Sequence, residues 1–413
     1  MSALSRTIRP SDKLSSAVIA PKSSSHPAVN YGNYRQKVYF TCHEDMDSIA
    51  EDWRSLEGRA FGSVYDSLDW CRAALAAAGD QTHAVRIIAG RDATGRIICL
   101  LPLALAERNG AQVLQWLGGP LANIGTGLHD REWLDGGVDW SALWPAVEAS
   151  VGEFDVIHLT NLPDSWDGIP HPLRGLANLR SANDTYVMAL RGTFEGLYAE
   201  KRSAESRRGA RKRDGRLERA GQLSLEQPKT RAAFATLLDV LFDQRRQRLG
   251  EQGVSLRFEA AERQIYWHLW DAADDGGARL LPLALCLDGR MLAITLGCVF
   301  GDTYHALTRS TTTGPEQKHS PGDALLRRTI ERCCALGLRS FDFGPGHGAY
   351  KTEWADESIP LREALHPRTV RGLAYAVAMG SRTMAKAWVK NSRWLWPQAK
   401  RMRRLLAGRT GRR

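Results

Sequence analysis

No Cys-x-x-Cys pair occurs in this 413-residue chain, and its seven cysteines, Cys42, Cys71, Cys99, Cys286, Cys298, Cys333 and Cys334, are odd in number. Most sit in apolar strand-like or helix-like runs. That argues against a disulfide framework or a zinc site and indicates reduced core thiols in a cytosolic protein. No metal is expected. No apolar run approaches the ~18 residues of a membrane-spanning helix, and the N-terminus lacks the apolar core of a secretory signal. Acidic residues are absent after Glu363. Thirteen Lys and Arg lie between Arg368 and Arg413, against a net charge of +10 for the whole chain, so everything before Arg368 is net −3. The basicity belongs to the tail, and DNA is not an expected partner.

What is present is an ordinary globular composition, 43% hydrophobic and 25% charged, on a chain long enough for two domains. Residues 1–36, rich in Ser, Pro and basic residues, are expected to be disordered. From residue 37 two halves follow one plan. In the first, "MDSIAEDWRSLEGRAFGSVYDSLDWCRAALAAAG" has helical periodicity broken near Gly62, and "HAVRIIAGRD", "RIICLLPLALAE" and "AQVLQWLGG" read as strands joined by "ATG" and "RNG" turns. "DWSALWPAVEASVG" is helical and "FDVIHLTNLP" a buried strand. In the second, "RAAFATLLDVLFDQRRQRLGEQG" and "EAAERQIYWHLWDAADDG" are helical. "ARLLPLALCLDG", "RMLAITLGCVFGD" and "TYHALTRS" form a meander through an Asp-Gly turn. A helix, "DALLRRTIERCCALG", and a strand, "LRSFDFG", close the half. Such a crossover makes the last strand parallel to its predecessor. The boundaries read from this plan are 37–190, 191–366, and a basic amphipathic tail, 367–413.

The turn into the crossover helix, "QKHSPGDALLRR", carries the strongest local signal. Ser320 suits an N-cap, Pro321 the first helical position, and Asp323 a capping-box-like S-x-x-D. Gly322 leaves the helix mouth free of a side chain. Free N–H groups and the helix dipole there can receive an anion.

The second half resembles the GNAT-like acetyltransferase domain of CelD/BcsL-type proteins, linked to bacterial cellulose and exopolysaccharide production. It is more distantly similar to the Fem-type double-GNAT transferases of peptidoglycan. The residues that carry this are "LYAEKRSAESRRGARKRDGRLERAGQL", "HSPGDALL" and "SFDFGPGHGAYKTEWAD". The resemblance implies an α/β (α+β) fold of two tandem GNAT units, with mixed central sheets flanked by helices. It implies acetyl-CoA or another acyl-CoA as co-substrate. Gln317, Lys318, His319, Ser320, Pro321 and Gly322 fit the family's Q/R-x-x-G-x-G/A loop, with Ser320 where a glycine usually stands. This loop and Asp323 would hold the cofactor pyrophosphate, and a backbone N–H near Thr308, Arg309 and Ser310 would meet the thioester carbonyl. "LGGPLANIGTGLHD" in the first half lacks the Ser-Pro-Gly turn, so only the second half is expected to bind the cofactor.

Acyl transfer from a thioester needs a base for the nucleophile's proton. The candidates are Asp342 on a buried strand, His319 beside the loop and His347 in the glycine-rich "GPGHGAYK". Tyr350, Lys351 and Trp354 are candidate acceptor-binding residues: an aromatic ring can stack on a sugar, and a lysine can meet a phosphate. The run Lys201–Arg219 holds nine basic residues; Arg207 and Arg211 within it are expected to draw an anionic acceptor into the cleft between domains. The tail, with Trp388, Trp394 and Trp396 among Lys and Arg, suits an anionic membrane surface. The sequence thus points to a cytoplasmic acyltransferase, with the tail a candidate peripheral anchor on the inner face of the plasma membrane, whose acceptor is a nucleotide- or lipid-linked sugar. Two alternatives stand beside it: a Fem-type transferase using aminoacyl-tRNA, and a degenerate GNAT that binds an anionic metabolite and regulates polysaccharide synthesis.

Overall fold

The computed structural model describes residues 37–392 apart from 80–83, 252–253, 255 and 273–276, and beyond them Trp394 and Gln398 alone. The disorder expected for residues 1–36 therefore lies outside the described residues.

The first half runs β1 (Tyr39–His43), α1 (Ala50–Glu57), β2 (Ala60–Phe61), α2 (Leu68–Ala77), β3 (Ala84–Arg91), β4 (Ile97–Arg108), β5 (Ala111–Trp116), β6 (Leu128–Asp130), α3 (Arg131–Asp135), α4 (Trp140–Val151) and β7 (Val156–Pro163). A small hairpin, β8 (Ser165–Trp166) with β9 (Ile169–Pro170), leads to β10 (Leu179–Ala189). The second half runs α5 (Phe194–Lys201), α6 (Ala204–Ala220), β11 (Leu223–Glu226), α7 (Arg231–Glu251), α8 (Glu259–Asp271), β12 (Arg279–Leu287), β13 (Arg290–Phe300), β14 (Thr303–Thr311), α9 (Pro321–Ala335), β15 (Ser340–Asp342), α10 (Ala349–Trp354), β16 (Glu357–Pro367) and α11 (Val370–Asn391).

Local chemistry explains the joints. Asn109-Gly110 and Asp288-Gly289 have positive φ at both residues, which a two-residue hairpin of matching twist requires. Ser67, Asp139, Thr193, Ser203 and Thr369 each cap a helix through a side-chain oxygen that accepts a backbone N–H. In both halves the crossover strand is parallel to the last meander strand: β7 to β5 through Val113–Val156, and β15 to β14 through Thr303–Ser340.

The halves do not form two separate sheets. A 14-stranded sheet runs β1-β3-β4-β5-β7-β16-β10-β15-β14-β13-β12-β11, with β2 and β6 attached beside β4. β10, the last strand before residue 190, pairs with β15 and β16. β16, the last strand of the second half, lies between β10 and β7. Each half has lent its final strand to the other half's sheet, and the two lent strands pair antiparallel at the centre. One core spans the junction, joining Trp53, Leu68 and Trp70 to Phe234, Leu238 and Leu269. The described part of the tail is α11, which packs across β10 and β16; Trp396 lies outside the described residues.

Candidate active site

β14 and β15 stay paired only as far as His305 and Asp342, where β15 ends. From Ala306 to Thr311, β14 has a strand partner on the β13 side alone. The register on that side slips by one residue, because Leu296 faces Thr308 while Gly297 faces Ala306. Leu307 is the extra residue of a β-bulge, a feature that bends the strand and re-aims its neighbours. The two parallel strands therefore part, and a cavity of about 190 Å³ opens between them. It is lined by Ala306, Thr308, Arg309, Phe343, Tyr350 and Lys351, and by Asn123 from the first half.

α9 starts beside this gap, but its first turn is not built as the sequence suggests. Ser320 has φ 54° and ψ 56°, and its side chain makes no capping bond. The left-handed backbone costs a non-glycine residue about 1–2 kcal/mol; it is the conformation glycine takes freely, and this is the position where the family loop usually has glycine. Asp323 completes no capping box: its carboxylate pairs with Arg327 and with Arg213 of α6. The backbone N–H groups of Asp323 and Ala324 donate to Ser320 O, and Pro321 has none. Gly322 N–H remains as the open donor of the helix mouth. Gly322 is demanded by contact as well as by access, since a Cβ there would lie 2.5 Å from Thr311 Cγ2.

The basic helix α6 also sits elsewhere than expected. Asp214 accepts two bonds from Arg327, at 2.7 and 2.8 Å, and α6 packs against the turn 315–319. Arg207, Ala210, Asp214 and Leu217 share its inner face, and Arg207 Nε is buried without a partner. The helix thus flanks the loop that leads into α9. Arg211 is exposed on it. Gln317 and Lys318 are exposed as well, and His319 is half-buried with Nδ1 lacking a partner.

Asp342 is fully buried and heavily bonded. It accepts from Thr185 Oγ1 at 3.1 Å, from Gly344 N at 2.8 Å and, through Oδ2, from His305 Nδ1 at 3.3 Å. His305 is also buried, held between the ring faces of Trp166 and the edge of Tyr65, both from the first half. Its Nε2 has no partner. A carboxylate that fixes one imidazole nitrogen as donor leaves the other as a proton acceptor. Nothing local in the chain points to His305, because its pairing with Asp342, 37 residues on, exists only through the parallel register of β14 and β15.

Three further expectations change. Trp354 is fully buried, stacked on Tyr198 at 5.6 Å, and cannot stack on a sugar. Lys351 is buried too: its ammonium donates to Gly344 O at 2.8 Å and Pro345 O at 2.9 Å, so it clamps its own glycine-rich loop instead of waiting for an acceptor phosphate. Both residues turn inward because 349–354 is a helical turn, with positions 351 and 354 on one face. Burial lowers the Lys351 pKa from 10.5 to about 8, against the opposing pull of Asp342. Tyr350 does face the cavity, with the Arg309 guanidinium 3.5 Å above its ring. Of the expected thioester-binding residues, Thr308 and Arg309 line the cavity, whereas the Ser310 side chain is turned away to Gln244 Oε1 at 2.7 Å. His347 is exposed on the glycine-rich loop.

The matching gap in the first half is filled. Trp116 Nε1 donates to Thr160 O, Asn161 Nδ2 to Ala122 O, and Gly125 N to Asn161 O, so residues 122–125 bridge the space where β5 and β7 part. Buried Asp66 fixes the same segment by accepting from Ser63 Oγ at 2.6 Å and Gly127 N at 3.0 Å. That anchoring presents Asn123 to the second-half cavity, with its amide bonded to Tyr65 OH at 2.7 Å. Among the described residues no cluster of His, Cys, Asp and Glu could hold a metal ion, and no helix is long and apolar enough to cross a membrane.

The acetyltransferase (GNAT) domain family matches residues 204–352, a range that contains α6, the loop before α9, and the gap. No curated protein matches the chain. Among solved structures, FemX is similar with a TM-score of 0.54 at 11% identity, covering 80% of this chain and 98% of its own. L-PGS from Bacillus licheniformis aligns at TM-score 0.45 and 14% identity, covering 82% and 97%. A tandem GNAT protein from the clavulanic acid biosynthesis pathway aligns at 0.38 and 12%, covering 80% and 99%. Residues 204–352 thus match the acetyltransferase (GNAT) domain family, and the chain as a whole takes a FemX-like fold.

Proposed function

We propose that the chain moves an acetyl or similar acyl group from acyl-CoA to an amine or hydroxyl of a polysaccharide or cell-envelope precursor, as in the CelD/BcsL-type proteins its second half resembles. The observation that supports this best is the gap between β14 and β15, lined by Arg309, Tyr350 and Lys351 and with the mouth of α9 at its side. The donor pyrophosphate would take the Gly322 N–H and the positive end of α9, where the dipole contributes about 0.3–1 kcal/mol toward an anion. The basic face of α6 adds attraction there. The thioester then lies along the unpaired edge of β14. The acceptor nucleophile attacks the thioester carbonyl, the C–S bond breaks, and CoA leaves as the thiol once protonated. The nucleophile's proton leaves through water, and the buried His305–Asp342 pair, behind the cavity lining, is the candidate to receive it. His305 is the candidate base, with Asp342 as its positioning partner.

The test is titration calorimetry with acetyl-CoA, followed by thiol release over a panel of amino-sugar acceptors. Wild type should bind. Gly322→Asp, folded, should bind at least tenfold more weakly. His305→Gln should keep acetyl-CoA affinity and lose turnover. Equal affinity in folded Gly322→Asp removes the donor site. The FemX-like fold favours the aminoacyl donor as a second reading, and failure of wild type to bind acetyl-CoA would support it or the regulatory one.

A further inference from the structure

α11 has two faces of opposite character, and only one is used by the fold. On the inner face, Tyr375 OH meets His158 Nδ1 at 3.0 Å and Thr383 Oγ1 meets Glu363 at 3.3 Å. Lys390 Nζ donates to Ala182 O at 2.9 Å. Gly372 lies so close to Asp155 that no side chain would fit. These contacts fix the rotation of the helix about its axis. The outer face then presents Val370, Leu373, Val377, Met384 and Trp388, exposed by 85, 52, 61, 59 and 69%. At 100° per residue these five fall within an arc of about 60°. Next to them come the small exposed residues Ala374, Ala378 and Ala385, and then a flank of exposed cations, Arg371, Arg382 and Lys386. No carboxylate occurs on the helix or after it. Trp394, just beyond, is 79% exposed.

We infer that this outer face docks on an anionic phospholipid bilayer, lying in the plane of the interface. A continuous apolar stripe beside a cationic flank fits acyl chains and anionic headgroups together. A second copy of the chain fits poorly, because two such faces would bring only like charges together. The docking also has a consequence for the cleft. Lys390, at the C-terminal end of α11, is bonded to β10 at Ala182, and the neighbouring Asp184 O accepts from Gly346 N at 3.0 Å, in the glycine-rich loop. The end of the docked helix thus sits beside the loop that closes the cavity. If the proposed acyl transfer holds, a lipid-borne acceptor is the class this placement serves; the docking itself does not depend on that reading.

The test is cosedimentation of the full chain with vesicles of phosphatidylcholine alone, or mixed in equal parts with phosphatidylglycerol. Wild type should pellet with the anionic vesicles at low salt and keep part of that binding at high salt, because the apolar contribution is not screened. The triple variant Leu373→Ser, Val377→Ser, Trp388→Ser should lose at least tenfold in partitioning while acetyl-CoA binding stays as in wild type. Arg382→Glu with Lys386→Glu should lose the preference for anionic lipid. Wild type staying in the supernatant at low salt, or equal partitioning of wild type and triple variant, overturns the inference. So does a dimer in sedimentation velocity that the triple variant abolishes, which would make the face a self-association surface. Acetyl-CoA titration of the same samples separates this failure from failure of the donor site.

Discussion

Replacing Lys351 by methionine should remove a pH dependence of stability that wild type must show. The folded lysine titrates at about 8, and the unfolded chain's lysine at 10.5. Below the folded value both states hold the proton, and the group adds no slope. Between the two values the unfolded state binds more protons, so stability rises with pH. The rise from about pH 7 to about pH 10 comes to about 2.5 kcal/mol, from 1.36 kcal/mol per unit with saturation near the upper value. Other lysines and tyrosines titrate over the same range, but they are common to both proteins, so the difference between wild type and Lys351→Met isolates the effect.

Denaturant unfolding at several pH values reads it. At neutral pH the methionine variant leaves Gly344 O and Pro345 O without donors, a cost of about 1–3 kcal/mol each if they stay dry, partly offset by no longer burying an ammonium. The sign at neutral pH therefore does not decide the matter, whereas the slope does. The stability advantage of wild type must grow with pH. Wild-type and variant stabilities that run parallel through the alkaline range would mean that Lys351 is not held in the buried site described here. The loop need not move as the proton leaves, because a neutral amine still has two N–H donors for the two carbonyls.

Two further outcomes follow from contacts at the gap and between the halves. Gly322→Ala should destabilise the chain by about 1–3 kcal/mol through its collision with Thr311 Cγ2 and weaken acetyl-CoA binding, and Thr311→Ser in the same chain should restore both; melting curves and calorimetry that show no rescue would place the constraint elsewhere. Fragments 37–190 and 191–392 should aggregate when expressed apart and copurify when expressed together, because β10 and β16 are exchanged; two stable monomers with full secondary structure would refute that linkage.

What could be read in advance was whatever short-range chemistry decides. Asn109-Gly110 and Asp288-Gly289 announce their hairpins, and helix-period runs after the meanders force parallel crossovers. The features that were missed depend on distance. Nothing local tells β10 that its partners are β15 and β16, since an alternating strand pairs equally well with any edge of suitable pattern. His305 looks like any strand histidine until register sets it beside Asp342. Lys351 and Trp354 look like loop residues because "GPGHGAYKTEW" is rich in glycine, yet six of its residues form a helical turn that aims both side chains inward. Ser320 misleads for a related reason: Ser-Pro-Gly is a good helix start by propensity, whereas the backbone puts Ser320 in the left-handed conformation that suits the glycine usual at this motif position.

The exchange of final strands also bears on why there are two halves at all. Twelve strands in one path exceed what open, strongly twisted sheets ordinarily reach, so the arrangement is better understood as two sheets spliced at β16 and β10. The splice carries the parting of β14 from β15 to the seam, because β10 is the neighbour of β15. Thr185 of β10 bonds Asp342 directly, and Tyr65, Asn123 and Trp166 of the first half close over His305 and the cavity. The first half has filled its own gap with Trp116 and residues 122–125, and the same filled segment is what holds Asn123 against the other half's cavity. Filling one gap and walling the other are thus one arrangement of the same segment. A lone copy of the second half would have the loop, the helix mouth and the bulge, but its buried His305–Asp342 pair would stand open to water.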